Sequence, residues 1–203
     1  MKLDPRRTAL IALHGQGDII GANGAFADFF HAEIVRRGVV NKISALLTVA
    51  RDADATVIYT KIVFKPDYSD LNTNSPLLQI VQQKGSLQEG SDLTEIIEAL
   101  TPAGSDLVVT NQRVGGFSPE LVSILEDRGI DTLLIAGVAT NISVESTARA
   151  ASDHGYRVVV VEDACSAATP EAHAASIESL GLLTSITTSN ELHWAPVEEP
   201  IEA

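Results

Sequence analysis

Short apolar segments alternate along this chain with longer amphipathic ones. Six segments rich in aliphatic and β-branched residues are predicted strands: 8–13, 55–63, 106–109, 132–137, 157–161 and 183–187. Most of them lack the apolar–polar alternation of a half-exposed strand, as is typical of parallel strands buried on both faces. The pattern therefore predicts a parallel sheet with a layer covering each of its faces.

Helical periodicity fills the stretches between these strands. The predicted helices span 25–37, 41–53, 93–100, 119–128, 141–154 and 170–180, with a further short helix near 77–83. Gly129, Gly155 and Gly181 each follow such a stretch, where a residue with positive φ commonly closes the last turn. Strands and helices in repeated alternation, joined by right-handed crossovers, predict a three-layer α/β/α sandwich.

Two regions depart from this alternation. The connection over 65–90 is long and polar, which is typical of a functional lid or of a packed surface excursion. The region 190–203 holds the only tryptophan, Trp194, among several acidic residues. We predict a single domain over 1–189, followed by an acidic tail that docks through Trp194 on its own subunit or on a neighbour.

Composition narrows the range of partners. The chain has 203 residues and a formal net charge of −13 at pH 7, and an acidic chain without a basic cluster is poorly suited to nucleic acid. No apolar run approaches the roughly 18 residues that cross a bilayer, so we expect no membrane partner. The single cysteine, Cys165, permits no internal disulfide, which is typical of a cytoplasmic protein. We expect its thiol to be buried and structural.

Ligands of a doubly wound sheet bind outside the carboxyl ends of its strands. This rule points to four segments: 14–18, 61–65, 111–117 and 137–143. Dinucleotide and P-loop fingerprints are absent, since Gly15-Gln16-Gly17 lacks the third glycine of the dinucleotide motif.

The residues in three of these segments resemble the isochorismatase-like cysteine hydrolases. The similarity is carried by GVATNISVESTARAA over 137–151 with GYRV over 155–158, by Gly116-Phe117, and by ALHGQGD over 12–18. The resemblance implies a six-stranded parallel sheet of order 3-2-1-4-5-6, hydrolysis of a small molecule, and a homo-oligomer. It also implies a cis peptide bond between Val138 and Ala139. The backbone N–H groups of Ala139 and Ser143 would then form an oxyanion hole.

The catalytic positions implied by the resemblance carry other residues in this chain. Amidohydrolases of the family use an aspartate, a lysine and a cysteine, where this sequence has His14, Asn111 and Ser143. The metal site of some members follows the second strand, but the segment 61–67 contains no histidine. We therefore expect neither a metal nor another cofactor.

The three residues can be combined into an altered triad. A serine hydroxyl needs an adjacent base, and His14 can act as one near neutral pH. Asn111 can orient the imidazole, as asparagine does in cysteine–histidine–asparagine proteases. On this hypothesis Ser143 attacks an amide or ester carbonyl, and its Oγ lies within hydrogen-bond reach, or a single water, of His14.

Further residues are predicted to shape the substrate pocket. Arg113 is the candidate for holding an anionic group, although a surface salt bridge is an equal alternative. Gln16, Phe64 and Phe117 are predicted to form the pocket wall.

A non-catalytic interpretation accounts for the same residues. Ser143 lies in the first turn of a helix, where serine satisfies free N–H groups, and Asn111 ends a strand, where asparagine suits turns. His14 can be a hydrogen-bonded, half-buried side chain. The alternative function is therefore a catalytically silent small-molecule binder or scaffold protein. A third possibility is another reaction, such as proton transfer by His14 alone.

Overall fold

The computed structural model describes residues 1–195, and its elements alternate as the sequence predicts. The strands are β1 (Lys2–Leu3), β2 (Thr8–Leu13), β3 (Thr56–Ile62), β4 (Leu107–Asn111), β5 (Thr132–Val138), β6 (Arg157–Ser166), β7 (Ser185–Thr187) and β8 (His193–Trp194). The α-helices are α1 (Gly17–Ile20), α2 (Ala27–Arg37), α3 (Val39–Asp52), α4 (Pro76–Lys84), α5 (Pro119–Asp127), α6 (Glu145–Asp153) and α7 (Pro170–Leu180). A π-helical turn over Thr140–Val144 precedes α6.

Six of these strands form one parallel sheet. Their order is β4-β3-β2-β5-β6-β7, which confirms the predicted order 3-2-1-4-5-6. The central strand β2 pairs with β3 on one side and with β5 on the other, so Leu13 lies beside both Thr60 and Gly137. The carboxyl ends of β2, β3 and β5 therefore meet at one edge of the sheet.

Two apolar cores separate the three layers. All six residues of β2 are buried, and alternate side chains enter opposite cores, with Leu10 in one and Ile11 in the other. Helices α2 and α3 cover the first core, and α5, α6 and α7 cover the second. Burial on both faces explains why the strands lack strict alternation.

Local sequence sets several helix boundaries. Helices α4, α5 and α7 each begin with a serine or threonine N-cap followed by proline at the first helical position. This arrangement satisfies one free N–H and places the fixed φ of proline where a helix needs it. Gly129 and Gly155 have positive φ, as predicted, whereas Gly181 has a φ of −59° and remains right-handed.

The helix predicted over 93–100 is wrong. That segment forms two short 3₁₀ turns, Asp92–Thr94 and Glu98–Leu100, with extended backbone between them. The extended part pairs with the loop after β2, because Gly17 N donates to Glu95 O and Ile97 N donates to Gly15 O. Long-range pairing thus replaced the helical hydrogen bonds that the local periodicity indicated.

Part of the predicted tail belongs to the folded structure. The strand β8 pairs in parallel with β1, and the half-buried Trp194 packs against the core covered by α2 and α3. Residues 196–203, the rest of the predicted acidic tail, lie outside the described residues. Within 1–195, no helix combines the length and apolarity that a membrane span requires.

Candidate active site

Ser143 lies where β5 passes into α6. The peptide bond between Val138 and Ala139 is cis, at the position that the family resemblance implied. The carbonyl of Ala139 then accepts hydrogen bonds from the backbone N–H groups of Ile142 and Val144, which closes the π-helical turn. Ser143 is 5% exposed, and its hydroxyl forms no hydrogen bond with any residue of 1–195. The hydroxyl is therefore available to a ligand.

An apolar cavity lies against Ser143. Its walls are Ile19, Phe26, Phe30, Ile62, Leu77, Leu78, Val81, Leu87, Val114, Val138, Ala139, Ile142 and Ser143. The empty space in the cavity and at its mouth is about 430 Å³, and the cavity is partly open to solvent. Ser143 contributes the one polar side chain among the lining residues. The cavity thus has the apolar walls of a small-molecule site, with a single hydroxyl among them.

His14 follows β2, and both nitrogens of its ring contact groups other than Ser143. It has a φ of 53° and is 1% exposed. Its Nε2 lies 2.9 Å from the carbonyl oxygen of Val114, and its Nδ1 lies 3.4 Å from the hydroxyl of Thr60. Because a carbonyl can only accept, Nε2 carries the proton and Nδ1 is the acceptor. The predicted hydrogen bond between His14 and Ser143 is not formed in this arrangement.

Burial keeps the His14 imidazole neutral. Loss of solvation lowers its pKa from 6.5 to about 4, and the contacts with Val114 and Thr60 offset this only in part. A neutral imidazole can accept a proton, but one with so low a pKa is a weak base.

The lowered pKa of His14 predicts a loss of stability in acid. The unfolded chain gains a proton at His14 below about pH 6.5, whereas the folded chain gains it only below about pH 4. The contribution to the free energy of unfolding is therefore intact above pH 6.5 and falls by about 3 kcal/mol as the pH drops to 4. Urea unfolding of the wild type and of His14→Gln between pH 6.5 and pH 4 measures this contribution of His14 to the free energy of unfolding. The carboxylates titrate in both proteins, so their effects cancel, and parallel pH curves for the two proteins would contradict the prediction.

Asn111 ends β4 and bonds to its own loop. Its Oδ1 accepts a hydrogen bond of 2.8 Å from the backbone N–H of Arg113. Its Nδ2 is buried and has no hydrogen-bond partner within 1–195. Asn111 therefore does not orient His14 here, but it keeps one unused donor close to this edge of the sheet.

Gln16 and Phe64 support the site without lining the cavity. The fully buried amide of Gln16 donates to the carbonyls of Ile62 and Thr94 and accepts from the backbone N–H of Ile62. It thereby joins the end of β3 to the first 3₁₀ turn. Phe64 is 1% exposed and packs its ring against Tyr68. Both residues are structural in this arrangement, in contrast to the predicted pocket wall.

Arg113 and Phe117 lie elsewhere on the surface. Both line a separate shallow depression beside α5. The Phe117 ring lies 4.8 Å from that of His154 and 6.0 Å from that of Tyr156. The structure thus brings neither residue to the cavity at Ser143, because the loop after β4 directs their side chains toward α5.

A series of contacting polar side chains at the start of the turn that carries Ser143 was not predicted from the sequence. The Thr140 hydroxyl lies 2.8 Å from Nδ1 of His173, and Nε2 of His173 lies 3.2 Å from a carboxylate oxygen of Glu162. Glu162 also bonds to the Arg37 guanidinium. With Nε2 donating to the carboxylate, Nδ1 accepts from Thr140, so this series of contacts fixes the start of the turn that carries Ser143. No local spacing in the sequence indicates this contact, since Thr140 and His173 lie on different elements.

Cys165 is buried on β6 and does not face the cavity. Loss of solvation raises the pKa of its thiol to about 12. The thiol is therefore protonated at neutral pH and unsuited to nucleophilic chemistry.

Comparison with known proteins places the chain in a family. The sequence profile of the isochorismatase domain matches residues 8–191. The uncharacterized isochorismatase family protein YecD of Escherichia coli O157:H7 is 31% identical over 184 residues, which cover 89% of this chain and 90% of that protein. The ureidoacrylate amidohydrolase RutB of Acinetobacter baylyi is 32% identical over 195 residues, covering 89% and 79%. A cysteine hydrolase structure from Pseudomonas syringae pv. phaseolicola superposes with a TM-score of 0.84 at 28% identity, covering 93% of this chain and 92% of the other. The chain belongs to the isochorismatase family of hydrolases.

Proposed function

We propose that the chain hydrolyses an ester or amide bond of a small molecule, with the Ser143 hydroxyl as nucleophile. The observation that carries the proposal is the position of this hydroxyl. It is unbonded within 1–195, it lies on the wall of an apolar cavity, and it is at the start of the helical segment after β5. The name of RutB, an amidohydrolase that aligns over most of this chain, supports the same class of reaction.

The proposed reaction has two stages. Ser143 Oγ bonds to the substrate carbonyl carbon as its proton passes to the base, and the bond to the leaving group then breaks as that group takes up the proton. Water next bonds to the acyl carbon as one of its protons passes to the base. The bond from that carbon to Ser143 Oγ then breaks, Oγ takes up the proton, and the acid is released. The backbone N–H groups of Ala139 and Ser143 are the proposed donors to the oxyanion.

In this proposal His14 is the base and must change its partner. Its Nε2 donates to the Val114 carbonyl in the structure, and Val114 lines the same cavity as Ser143. The free lone pair of the neutral imidazole is on Nδ1, so a proton can pass from Ser143 to His14 only after Nδ1 exchanges the Thr60 hydroxyl for that of Ser143. Asn111 offers the unbonded Nδ2, which we assign to holding the substrate or the imidazole during the reaction.

The second candidate is small-molecule binding without hydrolysis. It is favoured by one observation, that both nitrogens of His14 are occupied by Val114 and Thr60. On this candidate the cavity binds its ligand, and Ser143 supplies a hydrogen bond alone.

Labelling with an alkyl fluorophosphonate distinguishes the two candidates. Hydrolysis by Ser143 predicts one covalent adduct per chain, detected by intact mass and located at Ser143 by peptide mapping. Ser143→Ala should prevent the adduct, whereas Ser123→Ala, which removes an exposed serine on α5, should not. No adduct under conditions that label a control serine hydrolase would contradict the proposal and leave binding alone.

The homo-oligomer and the cytoplasmic location stay predictions. Apolar side chains are exposed on α2 and after α7, where Val35 is 63% and Leu182 is 87% exposed. Light scattering on purified protein measures the subunit number directly.

A further inference from the structure

We infer that the molecule bound beside Ser143 is small, uncharged and apolar, such as a short alkyl or an unsubstituted aryl ester or amide. The binding part of this inference stands independently of catalysis, whereas cleavage of the bound molecule rests on the proposed function.

The walls of the cavity offer no charge to a ligand. None of the lining residues is ionisable. The nearest carboxylate in sequence is Asp18, which precedes the lining residue Ile19. Its two oxygens accept from the backbone N–H groups of Ala25 and Leu87, at 3.3 Å and 2.8 Å. The carboxylate of Asp18 is thus used to hold the wall in place.

The cations of the same region are also engaged elsewhere. Lys61 is paired with Glu95, and Lys84 donates to the Ala25 carbonyl and lies over the Phe29 ring. Arg113, the predicted anion partner, lines the depression beside α5. An ammonium group in the cavity would therefore lose its hydration without gaining an opposite charge. A carboxylate would gain at most the backbone N–H groups of Ala139 and Ser143 and no cation, so both groups are unfavourable there.

The size of the cavity limits the ligand further. The interior volume of the cavity is about 40 Å³, whereas roughly 10–15 Å³ holds one water. Aromatic and branched side chains from α4, from α2 and from the residue before α2 form its sides, with Phe26, Phe30 and Val81 all less than 7% exposed. This space suits a single ring or a chain of a few carbon atoms.

The same walls favour release of the product after hydrolysis. Hydrolysis of a neutral ester or amide turns an uncharged carbonyl group into a carboxylic acid, which ionises at neutral pH. The substrate matches the apolar walls and the ionised acid does not, so release of the acid is favoured.

Binding of matched probes tests the inference. Benzyl alcohol is the neutral probe, and benzoate and benzylammonium are its charged counterparts of similar shape. At neutral pH we expect benzyl alcohol to shift the methyl NMR signals of Ile19, Val114 and Ile142 and to raise the melting temperature. We expect both charged probes to bind at least about tenfold more weakly. Equal or tighter binding of a charged probe would overturn the inference.

Two variants locate the binding. Ser143→Leu and Ile142→Phe each fill the cavity from its wall and should abolish the response to benzyl alcohol, whereas Ser123→Leu on α5 should retain it. Two variants are used so that one remains if the other does not fold. An unchanged response in a folded cavity variant would also overturn the inference.

The outcomes separate this inference from the proposed function. Neutral binding without phosphonylation of Ser143 would contradict hydrolysis and support the apolar ligand. Phosphonylation of Ser143 together with preferential binding of a charged probe would support hydrolysis and contradict the apolar ligand.

Discussion

Replacing Gly137 with alanine is expected to leave little folded protein. A Cβ at this position would overlap the Leu13 carbonyl oxygen and would lie 2.8 Å from Leu13 Cβ and 2.9 Å from Leu13 N. These atoms belong to the paired strand β2, so they can retreat only if the centre of the sheet separates. The φ of 137° adds strain for any residue with a side chain. We expect a loss of more than about 4 kcal/mol in the free energy of unfolding.

Far-UV circular dichroism and urea unfolding measure the effect of Gly137→Ala. Gly129→Ala is the matched control, because Gly129 also has positive φ but a Cβ there meets no atom within 4 Å. The control should lose only about 1 kcal/mol, the cost of the left-handed conformation. A Gly137→Ala protein as stable as this control would show that the two central strands are less rigid than their pairing indicates.

Replacing Ser143 with alanine is expected to remove hydrolysis while preserving the fold. If the hydroxyl is the nucleophile, kcat/KM for a neutral aryl ester should fall by a factor of at least about 10³. The substitution deletes an atom that has no hydrogen bond within 1–195, so the urea midpoint should change little. Activity above a tenth of the wild-type value would exclude Ser143 as the nucleophile.

Ser143→Cys provides the complementary result. A thiol at the start of a helical segment is made more acidic by the exposed N–H groups. We expect this variant to gain one rapid reaction with iodoacetamide, whereas the wild-type Cys165 stays unreactive because burial raises its pKa to about 12. Equal reactivity of the two proteins would show that the cavity does not admit the reagent.

The fold was predictable because its main signals are local. Buried apolar runs mark the strands, and serine–proline or threonine–proline pairs mark the starts of α4, α5 and α7. The helix expected over 93–100 failed for the opposite reason. Its apolar spacing suits a helix, but the extended backbone between its two turns pairs with the loop at Gly15 and Gly17.

The location of the candidate site could be predicted from the sequence, but the hydrogen-bond partners of its side chains could not. The topology brings the ends of β2 and β5 together, and Ser143, which follows β5, lies on the wall of the cavity. The partners of the side chains depend on distant groups. The carbonyl that holds His14 belongs to Val114, a hundred positions along the chain, and the turn at Asn111 directs Arg113 and Phe117 away from the cavity. No pattern among residues adjacent in the sequence can predict contacts between residues so far apart along the chain.

The hydrogen bond between the Asp18 carboxylate and Leu87 N–H has a consequence for how ligand binding can vary among proteins of this fold. One connecting segment between β3 and β4 supplies Leu77, Leu78, Val81 and Leu87 to the cavity. It is anchored where the backbone N–H of Leu87 donates to the Asp18 carboxylate, a bond that every residue except proline can make. Side chains in this segment can therefore be exchanged while the carboxylate keeps its bond and the central sheet keeps its sequence. The shape of the cavity is thus set largely by one segment outside the central sheet, so ligand preference can evolve by exchanges of similar volume that keep this part of the apolar core filled.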